Sequence, residues 1–304
     1  ARGPGAIDLC EEAAVDSCGG AEGEAPQQPR AKRRRAADPL GWLEPPGRSG
    51  PTPASETAPL VPPCGLLRGA AVPLRVRQLL GPALLRHEAA ASCALLTGDG
   101  GSWVWHARGL LPPRAGMFEA LWRRHPPALG TARLFGREVT MHRYQQAFGA
   151  DYAFSGQLAQ AAPLTEDAAP EVFFVKEELR RMLSASGSPL REWRYEACLV
   201  NWYDGGGHSI GAHADDEHGL VPGSPIFAVS WGETRTFRVT PRLRGAGAKV
   251  DLELGDGDVV VMGGACQRTH KHAVPVAKKR RGRRISLTFR CFRSQQASGA
   301  VGDG

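Results

Sequence analysis

Between residues 195 and 292 the chain carries six strand-like runs with no helical pattern between them. They fall at 195–202, 226–230, 235–239, 250–254, 258–262 and 284–292, each set off from the next by Gly, Pro or Asp. A doubly wound parallel sheet needs a crossover helix between successive strands, so that class is excluded. The remaining architecture is an all-β sandwich or jelly roll with helices packed outside it, mostly β and α+β in class. Residues 171–184 supply one such helix, with Val172, Val175, Leu179, Met182 and Leu183 at helical spacing and Gly187 just beyond. The apolar clusters of 76–94 predict a single further helix. Residues 102–106 read as a strand, and 118–125 as a short helix stopped by Pro126 and Pro127. Residues 131–139 read as two extended pieces about Gly136. There is no internal repeat.

The first 63 residues hold eleven of the 24 prolines and only scattered apolar side chains, too few to offset the entropy of ordering. Residues 1–65 are therefore expected to form a disordered tail, 66–293 the folded domain, and 294–304 a flexible C-terminal tail. Within the first tail Lys32, Arg33, Arg34 and Arg35 form a basic run between Pro29 and Pro39. It reads either as a signal for an import receptor, which implies the nucleus rather than the cytoplasm, or as a plain solvated cluster. No run approaches 18 apolar residues, which argues against a transmembrane helix, and no apolar h-region marks a secretory signal. Seven cysteines without a C-x-x-C pair exclude most structural zinc patterns, and their odd count and irregular spacing fit free thiols in a reducing compartment. The chain is expected to be a monomer. Cys198, Cys266 and Cys291 are expected to be buried as small apolar groups. The net charge of +7 is compatible with a nucleic-acid partner.

The chemistry concentrates in "IGAHADDEHG". His213 and Asp215 are two residues apart, so on a strand both side chains share a face. His272 follows 59 residues later. Two imidazoles and a carboxylate on a β scaffold are the ligand set of a facial triad for non-haem Fe(II). His208, His218 and His270 offer other pairings, and solvated loop histidines are the alternative. Arg284 and Arg290 stand six apart in "RISLTFR" and share the polar face with Ser286 and Thr288, opposite Ile285, Leu287 and Phe289. Two guanidiniums on one face suit a carboxylate in a cavity. Phosphate contact or a salt-bridged surface strand is the competing reading, because Lys278, Lys279, Arg280, Arg281 and Arg283 precede them.

The segments "NWYDGGGHSIGAHADDE", "SPIFAVSWGETRTF", "GDGDVVVMGG", "HKHAVP" and "RRISLTFR" together resemble the catalytic core of the AlkB-like Fe(II)/2-oxoglutarate dioxygenases. The resemblance is closest to the members that repair alkylated duplex DNA, and it covers roughly residues 131–292. It implies a double-stranded β-helix core preceded by a nucleotide-recognition lid at 131–156. It also implies Fe(II) on His213, Asp215 and His272, with dioxygen as co-substrate. By the same resemblance Asn201 and Tyr203 hydrogen-bond 2-oxoglutarate, Arg284 pairs with its distal carboxylate, and Arg290 lies near the carboxylate at the metal. Asp216 and Glu217 match an acidic pair facing the damaged base. "RLFGREVTMHRYQQAFGADYAFSG" resembles the lid, with Leu134, Phe135 and Gly136 at the tip of a wedge hairpin. Arg143, Gln145, Phe148, Tyr152 and Phe154 match the base cradle. An apolar wedge is what extrusion of a base from a duplex requires, while ordinary core packing is the alternative for Phe135, Phe148 and Phe154.

The implied activity is oxidative demethylation of N-alkylated nucleobases, such as 1-methyladenine or 3-methylcytosine, in duplex DNA, releasing formaldehyde, succinate and CO2. The alternative is an RNA or single-strand demethylase, or a base hydroxylase, with the same cofactors. Substituting any of the three ligands is expected to abolish turnover and leave the fold intact. One departure from the family is His270, where relatives commonly carry an aromatic; it is either a polar group near the site or a change of packing. The basic loop 241–249 is either a phosphate contact or a plain hairpin connection.

Overall fold

The computed structural model describes residues 66–85, 90–134, 137–154, 157–185, 187–216 and 219–293. The two tails, the run Lys32 to Arg35, Phe135, Gly136 and Glu217 lie outside the described residues. In chain order the elements begin with β1 (Leu66–Leu67), α1 (Leu74–Leu85), β2 (Ala91–Leu95), β3 (Ser102–Ala107) and α2 (Met117–Trp122). Next come β4 (Thr131–Leu134), β5 (Arg137–Thr140), β6 (Tyr144–Phe148), β7 (Tyr152–Phe154), β8 (Gln157–Ala159) and α3 (Pro170–Ala185). The core strands are β9 (Ala197–Asp204), β10 (Ile210–His213), β11 (Ile226–Gly232), β12 (Arg235–Pro241), β13 (Val250–Leu254) and β14 (Asp258–Gly264). A short turn of helix, α4 (Cys266–Thr269), leads into β15 (His270–Val274), and β16 (Arg283–Arg290) closes the fold.

From β9 onward the chain deals its strands between two antiparallel sheets. β14, β11, β16 and β9 form the centre of an eight-stranded sheet, extended by β3, β2 and β1 on one side and β6 on the other. β10, β15, β12 and β13 form the smaller four-stranded sheet. This is the expected jelly roll with flanking helices. First and last core strands end up adjacent, with Asn201 opposite Ser286 and Tyr203 opposite Arg284.

The alternation of β9 and β16 explains the two faces of the large sheet. Val200, Trp202, Ile285, Leu287 and Phe289 are buried in one apolar cluster with Val76 and Leu80 of α1 and Val172, Val175 and Leu179 of α3. Tyr203 belongs instead to a second cluster with Phe237, Val239, Leu252 and Leu254 of the small sheet. A two-residue period thus sends apolar side chains to the helices and the polar set 284, 286, 288 and 290 between the sheets.

The expected single helix over 76–94 is corrected. α1 ends at Leu85 and is already kinked at Gly81 (φ 73°), which precedes Pro82. Ala91–Leu95 is a strand, paired along its length with β3. Its apolar run lacks alternation because both of its faces are covered, and such a run cannot be told from a buried helix by periodicity. The two extended pieces do appear, as β4 and β5 paired antiparallel in a separate two-stranded sheet.

At the start of β14, buried Asp258 accepts hydrogen bonds from the backbone N–H groups of Gly109 (2.8 Å) and Gly255 (2.9 Å) and pairs with His106 Nε2 (2.9 Å). Asp258→Ala would strand a buried imidazole and two N–H donors, with an expected destabilisation of about 3 kcal/mol. A urea unfolding midpoint measures it.

Candidate active site

The fold brings His213 and His272 into direct register across β10 and β15. Their rings lie 4.3 Å apart between centroids, and Phe237 stacks on His272 at 5.3 Å. Asp215 follows the end of β10 and turns back to both: His213 Nε2 is 3.6 Å and His272 Nε2 3.8 Å from its Oδ1. One donor atom from each of the three lies within 4.8 Å of the others. His213 Nδ1 is hydrogen-bonded to the carbonyl of Gly211 (2.9 Å), which fixes the ring with Nε2 toward the cluster. The backbone N–H of Asp215 is held by Gln267 Oε1 at 2.9 Å.

Protonation suits a divalent cation. Burial pushes the His272 imidazole down to about 3, reinforced by His213. Burial also lowers His213. For Asp215 burial acts upward, but Arg290, His272 and His213 outweigh it and hold the carboxyl well below the usual range. The site therefore presents two neutral nitrogens and a carboxylate, as metal ligation requires. At pH 6 two ordinary imidazoles would together hold about 1.5 protons and give them up to a metal. Here His272 carries no proton to release over this range and the lowering of His213 reduces its share, so less release and a shallower fall of affinity from pH 8 to 6 are expected. Calorimetric titration with a divalent metal in buffers of different ionisation enthalpy measures this. The same shifts oppose folding in acid, because below about pH 6.5 the unfolded chain takes up protons that the folded imidazoles refuse.

Beside the triad is a cavity between the sheets, lined by Asn201, Tyr203, Ser286, Thr288, Arg284 and Arg290 among others. Arg290 Nη2 lies 2.8 Å from Asp215 Oδ1. Asp215 Oδ2 has no hydrogen-bond partner among the described residues. Arg284 is 2 % exposed. Its Nε donates to Ser230 Oγ at 2.9 Å, its guanidinium lies over the Tyr203 ring, and its Nη1 is buried without a partner. A buried guanidinium with an unused donor and no carboxylate partner among the described residues fits an anionic ligand, and the cluster of neutral imidazoles and carboxylate fits Fe(II). The donor set matches a metal ion together with a dicarboxylic 2-oxo acid.

The other expected residues divide. Half-buried Arg143 donates from Nε to Asn201 Oδ1 (2.7 Å) and from Nη2 to Gln145 Oε1 (2.6 Å). Phe148 is corrected: it is 5 % exposed and sits in the helix-side core cluster, because it pairs with Cys198, whose side chain also faces the helices. Asp216 is exposed and ion-paired with Arg242 of the 241–249 loop at 2.5 Å. Tyr152 and Phe154 are placed by their backbone on β7, paired with β8. His270 is buried with Nδ1 on Thr269 Oγ1 (2.8 Å) and its ring beside Gly247. Cys198, Cys266 and Cys291 are buried as expected, and burial pushes the thiols of the last two up to about 12.

Sequence reasoning missed Gln267 and Arg235. Arg235 is 1 % exposed and donates to the carbonyls of Gly205, His208 and Pro275, tying the segment before β10 to the end of β15. Nothing in "RTFRV" separates it from Arg238, which is paired on the surface with Asp251.

Two interleaved antiparallel sheets enclosing a His-Asp-His cluster and a buried arginine define an iron- and 2-oxo-acid-dependent oxygenase. The model of the 2OG-Fe(II) oxygenase superfamily matches residues 121–290, more than half of the chain, and the chain belongs to that family. It is similar to proteins described as "DNA oxidative demethylase ALKBH2". The mouse protein is 31 % identical over 54 % of this chain and 67 % of its own length. The human protein is 32 % identical over 54 % of this chain and 61 % of its own. A rat protein described as "Alpha-ketoglutarate-dependent dioxygenase alkB homolog 3" is 34 % identical over 36 % of this chain and 39 % of its own length. Against these relatives the chain thus spans between two fifths and two thirds of their lengths.

Proposed function

We propose that the protein removes alkyl groups from the ring nitrogens of nucleobases such as 1-methyladenine or 3-methylcytosine, with duplex DNA as the preferred substrate. The observation that carries this reading is the buried, partly unpartnered Arg284 in one cavity with a complete iron-ligand set, in a chain similar over that core to DNA oxidative demethylases. Fe(II) with 2-oxoglutarate and dioxygen supplies the oxidation, and formaldehyde, succinate and CO2 are the products. The protein's own groups hold and orient. Arg284 takes the distal carboxylate of 2-oxoglutarate, with Asn201 and Tyr203 beside it. Arg290 keeps Asp215 ionised and fixed. Keeping the reacting groups in a cavity between the two sheets aligns them and limits their contact with water.

Nucleic acid as the partner draws support from the net charge of +7 and from the exposed basic residues Lys278, Lys279, Arg280 and Arg281 just before β16. In this reading residues 66–293 are the catalytic domain of a monomer and 131–156 its recognition lid. Residues 32–35 direct it to the nucleus. Arg143, Gln145, Tyr152, Phe154, Asp216 and Glu217 face the nucleic acid, and Phe135 with Gly136 forms the wedge.

The test is a panel of methylated single- and double-stranded DNA and RNA oligonucleotides, read by mass spectrometry for loss of the methyl mass. Duplex DNA should be the best substrate. Faster turnover of RNA or single strands, or a gain of oxygen mass without loss of methyl, would replace this reading with the corresponding alternative. Phe135→Ala should slow duplex repair at least about tenfold more than single-strand repair, because opening a stack costs a few kcal/mol. Equal losses on both substrates with a lowered Tm would make Phe135 a packing residue.

A further inference from the structure

We infer that Arg143 is a positioning residue for the cosubstrate, setting the orientation of the Asn201 amide so that its NH2 group, and not its oxygen, faces the cavity. The inference rests on the reading above that Asn201 contacts 2-oxoglutarate.

Asn201 is 5 % exposed, stands on β9 and lines the cavity. A carboxamide has a donor end and an acceptor end that differ little in shape, so packing alone does not decide which end faces a ligand. A guanidinium decides it, because it can only donate. Arg143 Nε lies 2.7 Å from one end of the Asn201 amide, and that end must therefore be the oxygen. The amide nitrogen is left to point away from Arg143. A donor is what the oxygens of a 2-oxo acid require. An inverted amide would instead set its oxygen against an anion.

Arg143 is itself held in place. Its Nη2 donates to Gln145 Oε1 at 2.6 Å, and Gln145 is the β6 residue directly opposite Asn201 on β9. One planar fork therefore bridges two side chains from neighbouring strands. A lysine in its place has a single ammonium and lacks that fork. Because Arg143 stands in the 131–156 segment, this contact also joins the lid to the cosubstrate, and by linkage whatever binds one biases the other.

The experiment titrates 2-oxoglutarate calorimetrically into the manganese-loaded full chain with no nucleic acid present. Arg143→Ala should weaken 2-oxoglutarate about tenfold, the effect of losing one hydrogen bond to a charged group. Asn201→Ala should do the same. The double variant should be no weaker than the poorer single one, since both substitutions remove one interaction. Asn201→Asp keeps an acceptor for Arg143 but turns the cavity-facing donor into an anion, and should be weaker than Asn201→Ala. Arg143→Lys should recover only part of the affinity, and it serves as the test should the alanine variant fail to fold. A residue acting only on nucleic acid or only on stability predicts no change in this titration for folded protein. An unchanged affinity in Arg143→Ala or Arg143→Lys, with Asn201→Ala weakened, overturns the inference. An unchanged affinity in Asn201→Ala overturns the assignment of Asn201 to the cosubstrate and the inference with it.

Discussion

Asp215→Ala is expected to abolish turnover, and to unfold the protein more readily than a simple loss of a ligand would. Asp215 is 1 % exposed and is the single anionic member of the triad. Its removal leaves two neutral imidazoles to hold the metal. Outer-sphere partners of a metal are worth 10–100-fold in affinity, so loss of a charged ligand should weaken iron by more than about a hundredfold. The same substitution takes away the carboxylate that lies 2.8 Å from the guanidinium of Arg290, which is 3 % exposed. Breaking a buried pair from one side costs about 3–5 kcal/mol. His213→Ala and His272→Ala share the catalytic defect without stranding a charge, so their unfolding midpoints should stay closer to wild type. The fold should therefore tolerate substitution of either histidine better than substitution of Asp215. Iron titration and urea unfolding of the three variants check both parts. Near-normal turnover with undiminished iron affinity in any variant would remove that residue from the ligand set.

Arg284→Ala should raise the 2-oxoglutarate concentration needed for half-maximal rate by about a hundredfold or more. A dicarboxylate entering this cavity sheds water whether or not a cation awaits it, and truncating one partner of a buried charge pair costs about 3–5 kcal/mol. Metal affinity should be little changed, because the partners of Arg284 among the described residues are Ser230 and Tyr203 rather than the triad. The ligand-free protein gives a second sign. Its buried guanidinium has an unpartnered Nη1, so removing it should leave the Tm unchanged or raise it. A structural arginine predicts the opposite, a lower Tm with the 2-oxoglutarate dependence intact. That outcome would revive a phosphate-contact or packing role for this strand.

Much of the site was legible where local period and chemistry coincide. In "RISLTFR" a two-residue period alone separates the arginine face from the apolar face, and the structure places Ile285, Leu287 and Phe289 under the helices and Arg284 and Arg290 in the cavity. The strands that carry the histidines were less visible. Ile210–His213 is four residues with one large apolar side chain, and His270–Val274 opens on His-Lys-His, so both lack the apolar alternation by which a strand is read. Ala91–Leu95 failed for the opposite reason, being covered on both faces. Phe148 was open to a role at the site, and only the side of the sheet to which it turns placed it in the core. His270 shares a strand face with His272, and its hydrogen bond to Thr269, a contact that local sequence does not show, is what sets it apart.

By itself the sequence determined the class of fold, the ligand types and the face on which the arginines stand, because these follow from backbone period and side-chain chemistry over a few residues. Tertiary structure alone decided which histidines meet, since His213 and His272 become neighbours only through the pairing of β10 with β15. It also decided which arginine serves which carboxylate. Arg290 meets Asp215, Arg284 is left with a spare donor, Arg235 ties backbone carbonyls and Arg143 holds an amide. Four guanidiniums of identical chemistry take four roles. What separates them is burial and the partner that the opposite strand or loop supplies, and those are properties of pairing across the fold rather than of any run of residues.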